Sequence, residues 1–201
     1  MARCIHGWAA PAETSVRRGP HRQLHDLCAK PGCGASGSGR QPKNIVSVKD
    51  LLRDDVRVAI SSPQREPASF ESYANTLRGQ GGTALPQQVL AKPTTVSPAV
   101  VHHRENPQLI ADGKADVAPM YFHLGDYLKR TMPQLFDYVA LPPENNFIDS
   151  LGIARIKTTT REPAAQAFIE FMRTENAAMI YERHGFNFAT AAERAVVIVP
   201  R

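Results

Sequence analysis

The sequence predicts an α/β fold whose sheet is largely parallel. Short apolar runs at 56–60, 115–121 and 136–141 are typical of strands that are covered on both faces. Helical segments with apolar residues at 3.6-residue spacing lie between these runs, and such alternation is the pattern of a parallel sheet. Two helices follow one another near the C-terminal end, which departs from strict alternation.

Local start and stop signals define most of the elements. A short helix is expected from Ser47, with Leu51 and Leu52 on it. A longer helix is expected from Pro67 to Gly79, with Phe70, Tyr73 and Leu77 buried. Further helices are expected at 87–91, in the segment that ends at Gly113, and at 123–130. An extended run is expected at 151–156, then an amphipathic helix from Arg161 with Ala164, Phe168, Phe171 and Met172 facing inward, and a last helix from Thr174 to Gly185.

The helix that precedes the 115–121 strand has a specific predicted start. Asn106 is expected to cap it, and Pro107 to occupy its first position, where a missing N–H costs nothing. Ligands of open α/β sheets bind at the carboxyl ends of the strands. Tyr121, at the end of the strand, and the polar run 102–104, before the helix, are therefore candidate ligand contacts.

The helix start at 67–70 is a candidate anion site. The order of strand, loop and helix puts its free backbone N–H groups at the carboxyl edge of the sheet, where the positive end of the helix dipole favours an anion. A hydrated helix start without a ligand accounts for the same residues, and this segment alone favours that simpler interpretation.

The charge of the chain does not indicate a nucleic-acid partner. The formal net charge is +5, but residues 1–43 carry all of the excess, and residues 44–201 hold equal numbers of acidic and basic side chains. The folded part therefore has no surplus for binding a polyanion. The three cysteines also lie in 1–43, so the rest of the chain cannot use thiol chemistry.

Residues 1–43 lack apolar periodicity and are rich in Gly, Ser, Pro, Arg and His, so we expect them to be disordered. They do not form a secretory signal, because no apolar stretch follows the basic residues. His21, His25, Cys28 and Cys33 are four zinc-type ligands within thirteen residues. Their spacing matches no common zinc finger, and a solvated, accidental cluster is the favoured interpretation, so no metal or cofactor is expected.

Four stretches of the chain form a recognisable set: RVAISSPQREPASFESYANTL, VHHRENPQLIADGKADVAPMY, VALPPENN and EPAAQAFIEFMRTENAAMIYERHGF. Together they resemble the periplasmic substrate-binding proteins of molybdate-type ABC importers, and more broadly the type II periplasmic-binding-protein fold. The second stretch is the most specific match. The resemblance covers about residues 42–190.

The resemblance implies one nearly complete α/β lobe and part of another. Residues 44–145 would be the second lobe, and 146–201 the return segment with the C-terminal helices of the first lobe. The opening half of the first lobe would normally precede position 42, so we expect an N-terminally truncated or misassigned chain with 1–43 as an aberrant basic tail. Sequencing the upstream DNA would test this expectation.

Carried over residue by residue, the resemblance implies four ligand contacts. They are the backbone N–H groups of Ala68 and Ser69, the region of His103 and the phenol of Tyr121. Neutral donors that converge at a helix start can hold a tetrahedral dianion without a countercharge. The two histidines as loop or packing residues, and Tyr121 as a core aromatic, are the structural alternatives.

The predicted function is therefore binding without catalysis, since no nucleophile–base pair is evident in the sequence. The resemblance implies a monomer that captures molybdate or a related oxyanion in the periplasm and meets the membrane subunits of an ABC importer. One alternative is a ligand-sensing effector domain, and the lack of a helix-turn-helix segment before position 44 counts against it. The other is a truncated fragment without function.

Overall fold

In the computed structural model, which describes residues 17–23, 25–29 and 42–188, strands and helices alternate as the sequence predicts. The strands are β1 (Arg17–Gln23), β2 (His25–Ala29), β3 (Val58–Ala59), β4 (Thr95–Val96), β5 (Val117–Tyr121), β6 (Asp137–Val139), β7 (Asp149–Ile153) and β8 (Asn187–Phe188). The α-helices are α1 (Pro67–Gly81), α2 (Leu85–Ala91), α3 (His102–Ala111), α4 (Phe122–Thr131), α5 (Glu162–Phe171) and α6 (Glu175–Arg183). Short 3-10 helices lie at Val48–Leu52 and Pro143–Asn145.

The larger sheet has five strands in the order β4-β3-β5-β2-β6. Strand β3 pairs in parallel with both β4 and β5, whereas β2 is antiparallel to its neighbours β5 and β6. The α/β prediction is confirmed, and one antiparallel strand interrupts the otherwise parallel order. A second, three-stranded sheet in the order β7-β1-β8 is antiparallel.

Strands β1 and β2 correct the expectation of disorder at residues 17–23 and 25–29. Strand β2 is hydrogen-bonded between two strands of the larger sheet, and β1 lies between β7 and β8. Composition misled here because β1 contains Gly19 and Pro20, residues that are depleted in strands. The register of β1 shifts between Arg18 and Arg22, and irregular positions of this kind are where a strand tolerates proline.

Both faces of the larger sheet are covered, as the apolar runs predict. On one face, α1, α2 and the Val48–Leu52 helix pack on Val58 and Val117. On the other face, Ile110 of α3 and Leu128 of α4 pack on Ala59, Ala118 and Met120. Successive residues of a strand point to opposite faces, and therefore Tyr121 lies on the same face as Val117, towards α1.

Several predicted stops and starts are confirmed. Gly113 and Gly185 have φ angles of 69° and 80°, the left-handed conformation that glycine adopts without strain. The Thr174 hydroxyl accepts the Ala177 N–H of α6 at 3.3 Å. The predicted stop at Gly79 is wrong, since α1 continues to Gly81 and ends at Gly82, which has a φ of 99°.

Gly79 has a packing role instead. A Cβ at this position would lie 2.3 Å from the backbone oxygen of Asn145, so a larger residue would clash with the segment that follows β6. Close backbone approach is the second common reason for a glycine in a helix, and sequence alone does not separate it from a stop.

The predicted inward face of α5 is mostly wrong. Met172 is buried, but Phe168 and Phe171 are 55% and 44% exposed, and Ile169 lies inside in their place. In α6, Ala177 and Ala178 are buried, whereas Ile180 is exposed. The part of the chain that the structure describes covers only one side of this helix pair. Within the same part, every helix is too short or too polar to cross a membrane.

An ion pair joins the beginnings of the two central strands. The Asp116 carboxylate accepts from the Arg57 backbone N–H at 2.9 Å and from the Arg57 guanidinium at 2.6 and 3.1 Å. The Asp116 N–H donates back to the Arg57 carbonyl at 2.8 Å. Burial raises the pKa of Asp116, but the hydrogen bonds from Arg57 outweigh burial and hold the pKa below its usual value.

We expect Asp116→Asn to lower the free energy of unfolding by about 1–3 kcal/mol, because a buried charge-assisted pair is lost. The upper end of the range for buried pairs does not apply, since Arg57 is 44% exposed. Denaturant unfolding measures the change. Asp112→Asn, an exposed carboxylate of the preceding turn, is the matched control. Equal effects of the two substitutions would contradict this account.

Candidate functional site

The candidate site lies where β3 and β5 end and where α1 and α3 begin. Ser61 follows β3 after one residue, and Tyr121 is the last residue of β5. Both strands run in the same direction, so their carboxyl ends share one edge of the sheet. This is the edge at which α/β proteins bind ligands.

The start of α1 offers open backbone donors. Glu66 occupies the N-cap position, and its carbonyl accepts the N–H of Phe70 at 2.9 Å. Pro67 has no N–H, and among the described residues no acceptor is bonded to the N–H groups of Ala68 and Ser69. Ala68 is exposed and Ser69 is half-buried. Two aligned donors at the positive end of a 15-residue helix can accept an anion.

Ser61 is a polar residue that the sequence did not single out. Its side chain is fully buried, and its hydroxyl has no hydrogen-bond partner among the described residues. The neighbouring Ser62 hydroxyl, by contrast, accepts the N–H groups of Gln64 and Arg65 at 3.3 Å. A buried hydroxyl without a hydrogen-bond partner costs about 1–3 kcal/mol. A ligand or a water molecule that bonds to the Ser61 hydroxyl would remove this cost.

The predicted start of α3 is wrong. The helix begins at His102, five positions before Pro107, and Pro107 lies inside it. Two carboxylates account for the earlier start: Glu105 accepts the N–H groups of residues 99–101 at 2.6–2.8 Å, and Glu66 accepts the N–H of His102 at 3.0 Å. Carboxylates of the chain therefore bind the approach to α3 and its first N–H group.

Asn106 consequently lies within the helix rather than at its cap. It is fully buried, and neither its amide oxygen nor its amide nitrogen has a partner among the described residues. Buried side-chain amides are usually hydrogen-bonded in folded proteins. Asn106 and Ser61 are thus two buried polar side chains without a hydrogen-bond partner among the described residues.

Aromatic and imidazole rings surround Tyr121. Its ring centroid lies 5.3 Å from those of Tyr73 and His103. On another side, His123 stacks on Tyr121 at 5.8 Å and on Phe186 at 4.1 Å. A Cβ at Gly185 would lie 3.0 Å from the His123 Cα, so the segment after α6 packs directly against this row of rings.

Of the four predicted ligand residues, His103 and Tyr121 are neighbours in this row, and Ala68 and Ser69 form the open start of α1. Their roles in ligand binding stay a prediction. The buried His102 belongs to a hydrogen-bonded network, as the packing alternative anticipated for one of the two histidines. Sequence reasoning gave no role to His123.

The described residues contain no cluster of three or more His, Cys, Asp or Glu side chains that could hold a metal ion. The zinc-type ligands His21, His25, Cys28 and Cys33 lie outside the residues whose side chains are described.

Comparison with protein families gives one match. The model of a family described as bacterial extracellular solute-binding protein matches residues 16–187. The match begins at the first residue before β1, so it includes both N-terminal strands. None of the curated proteins matches the sequence.

Comparison with solved structures shows the same fold. The sulfate-binding protein SubI from Mycobacterium tuberculosis superimposes with a TM-score of 0.62 over 88% of this chain at 22% identity. The periplasmic molybdate-binding protein of Azotobacter vinelandii gives a TM-score of 0.60 over 90% of this chain at 18% identity, and this chain covers 71% of it. The substrate-binding domain of a molybdenum ABC transporter from Clostridium difficile gives 0.59 over 88% at 18% identity, with 67% of that chain covered. This chain spans 60% of the length of SubI.

These comparisons confirm the predicted fold class. At such identities they show the fold alone.

Burial lowers the pKa of His123 from 6.5 to about 4. The folded protein then binds this proton less readily than the unfolded chain, so stability is greatest above pH 6.5 and falls as the pH drops towards 4. We expect a loss of roughly 1–3 kcal/mol over this window, which partial exposure keeps below the full value. Thermal unfolding at several pH values measures the loss.

His123→Phe keeps a ring in the stack and removes the titrating group, so we expect it to flatten part of this pH dependence. His184→Gln, which alters an exposed imidazole two residues before Phe186, is the control and should retain the wild-type slope. An unchanged slope in His123→Phe would show that other groups account for the acid sensitivity.

Proposed function

Because the chain belongs to the bacterial extracellular solute-binding protein family, we propose that it captures molybdate or a related tetrahedral oxyanion between two lobes. In this proposal it releases the anion to the membrane subunits of an ABC importer and acts in the periplasm as a monomer. It performs no catalysis. The family and its structural neighbours are binding proteins, which supports this class of function.

The observation that carries the proposal is the open start of α1. Ala68 and Ser69 present backbone N–H groups to which no acceptor among the described residues is bonded, on the edge where the buried Ser61 hydroxyl also lacks a partner. An anion with several oxygens is the ligand that would satisfy all of these donors at once. These unbonded donors support an anion site at the start of α1 over a hydrated helix start without a ligand.

The neighbouring start of α3 favours the same location by contrast. The carboxylates of Glu66 and Glu105 accept the N–H groups of His102 and of the N-cap residue Val101, so negative charge of the chain already lies at this helix start. Tyr121 is the last residue of β5, and its phenol is the proposed oxyanion contact from the sheet. His103 is the proposed contact from α3.

The two proposed lobes follow the two sheets. Residues 44–145 supply most of the larger sheet, and the segment from 146 onwards supplies β7, β8 and the last two helices. Strand β2 belongs to the larger sheet and strand β1 to the smaller one, so the same division separates these two strands. A complete ligand shell needs donors from both lobes, and the solved relatives are longer than this chain.

The first test is thermal unfolding with excess sodium molybdate, sodium tungstate or sodium sulfate. A ligand that binds only the native state stabilises it by about 2.7 kcal/mol at a hundredfold excess over its dissociation constant. We expect a raised midpoint with at least one of the three anions and none with sodium chloride at equal ionic strength. A cooperative transition that no anion shifts would contradict the proposal.

The second test separates ligand contact from stability. Ser61→Ala removes a buried hydroxyl that has no protein partner, so we expect the unliganded protein to keep its stability or gain slightly. Its affinity for the anion should fall about tenfold or more, because a hydrogen bond to a charged ligand is lost. Isothermal titration calorimetry measures the affinity.

Tyr121→Phe removes the phenol that is the proposed contact from the sheet, so we expect weaker binding of the anion. Tyr127→Phe on the exposed side of α4 is its control. Wild-type affinity in both Ser61→Ala and Tyr121→Phe would place the ligand elsewhere.

A further inference from the structure

One carboxylate connects the two helix starts that border the candidate site. Glu66 immediately precedes α1 and reaches across to the first residue of α3. Its Oε2 accepts the His102 backbone N–H at 3.0 Å, and its Oε1 lies 2.9 Å from Nδ1 of the same residue. The His102 side chain is fully buried, and the Glu66 side chain is 18% exposed.

The other nitrogen of the His102 ring is also bonded to α1. The hydroxyl of Tyr73, a fully buried residue in the second turn of that helix, lies 2.7 Å from Nε2. An ionised carboxylate can only accept, so Nδ1 carries the proton. Burial lowers the pKa of His102, and in the neutral ring Nε2 accepts from the Tyr73 hydroxyl. Both ring nitrogens of an α3 residue are thus held by groups that belong to the beginning of α1.

We propose that Glu66, His102 and Tyr73 act as a clamp that fixes the spacing between the α1 and α3 starts and thereby selects the size of the bound anion. This inference rests on the proposed function, because Ala68 and Ser69 are the contacts from α1 and His103 is the contact from α3. His103 follows His102 directly, and their ring centroids are 3.8 Å apart. Any shift of His102 relative to α1 therefore moves His103 relative to the open N–H groups.

The clamp differs from ordinary core packing in what it holds. The middle and end of each helix are fixed by apolar contacts: Leu77 of α1 packs on one face of the sheet and Ile110 of α3 on the other. Because the two helices lie on opposite faces, those contacts do not join them to each other. The Glu66–His102–Tyr73 contacts do so, at the carboxyl edge.

The chain offers a matched control for this role. Glu105 is also a carboxylate at the start of α3, and it accepts three N–H groups of residues 99–101. Those groups belong to its own segment, so Glu105 orders the approach to α3 without linking it to α1. Shortening Glu105 should cost local stability and leave the spacing between the helix starts unchanged.

The test compares Glu66→Asp with Glu105→Asp. Each substitution keeps the charge and removes one methylene. Calorimetry measures the dissociation constants of each protein for sodium sulfate and for the larger sodium molybdate and sodium tungstate. We expect Glu66→Asp to change the ratio of the molybdate and sulfate constants by about fivefold or more, and Glu105→Asp to keep the wild-type ratio within about twofold. If Glu66 had a merely structural role, Glu66→Asp would weaken the binding of all three anions in proportion.

A measurement without ligand makes the two failures distinguishable. Imidazole nitrogen spectra report which ring nitrogen of His102 is protonated; we expect the Nδ1–H form in the wild type and a loss of that preference in Glu66→Gln. If the wild type discriminates among the anions and Glu66→Asp keeps its ratio, the clamp inference fails and the proposed function stands. If the wild type binds none of the three, the proposed function fails and anion selection fails with it, while the nitrogen spectra still decide whether the clamp exists.

Tyr73→Phe protects the test against a folding defect in Glu66→Asp. It removes the hydroxyl that donates to Nε2 and leaves the carboxylate contact in place, so we expect a change of the anion ratio in the same direction but smaller. A folded Tyr73→Phe protein with the wild-type ratio and the wild-type nitrogen spectrum would also overturn the clamp.

Discussion

The pairing of Arg57 with Asp116 sets the register on which the rest of the larger sheet depends. It joins β3 and β5 at their beginnings, with Val58 directly opposite Val117. Strands rise by about 3.3 Å per residue, so a fixed beginning also fixes where each strand ends. A slip of one residue would turn Tyr121 to the opposite face of the sheet, away from Tyr73. The ion pair at the beginnings of the strands thus positions the candidate ligand contacts at their carboxyl ends.

At the carboxyl ends of β3 and β5, the starts of α1 and α3 both carry the positive end of a helix dipole, but their N–H groups are bonded differently. Carboxylates of the chain accept the N–H groups of Val101 and His102 at the start of α3, whereas no acceptor among the described residues is bonded to those of Ala68 and Ser69. Glu66 belongs to both situations: it caps α1 through its backbone and binds α3 through its side chain. A further anion at the start of α3 would lie against these carboxylates, which leaves the start of α1 as the candidate place for an external anion.

Much of the fold was predictable because its signals are local. Gly113 and Gly185 end their helices through a conformation that depends on a few neighbouring residues, and Thr174 caps α6 through an N–H three residues away. The errors share an opposite origin. Asn106 is an excellent cap in isolation, yet Glu66, 36 positions from His102, makes an earlier start more favourable. A contact at that separation leaves no trace in a helical pattern.

The candidate site was predictable to the extent that it follows from local geometry and family resemblance, which supplied Ala68, Ser69, His103 and Tyr121. Ser61 could not be found in this way. In sequence it is the first of two serines before a proline, a context in which serine usually forms turns, and Ser62 does so. Its burial comes from elements brought over it by the fold, and only there does a hydroxyl without a partner become unusual. The same residue type is thus unremarkable in the chain and informative in the structure, because the cost that makes it informative, desolvation without a hydrogen bond, exists only after folding.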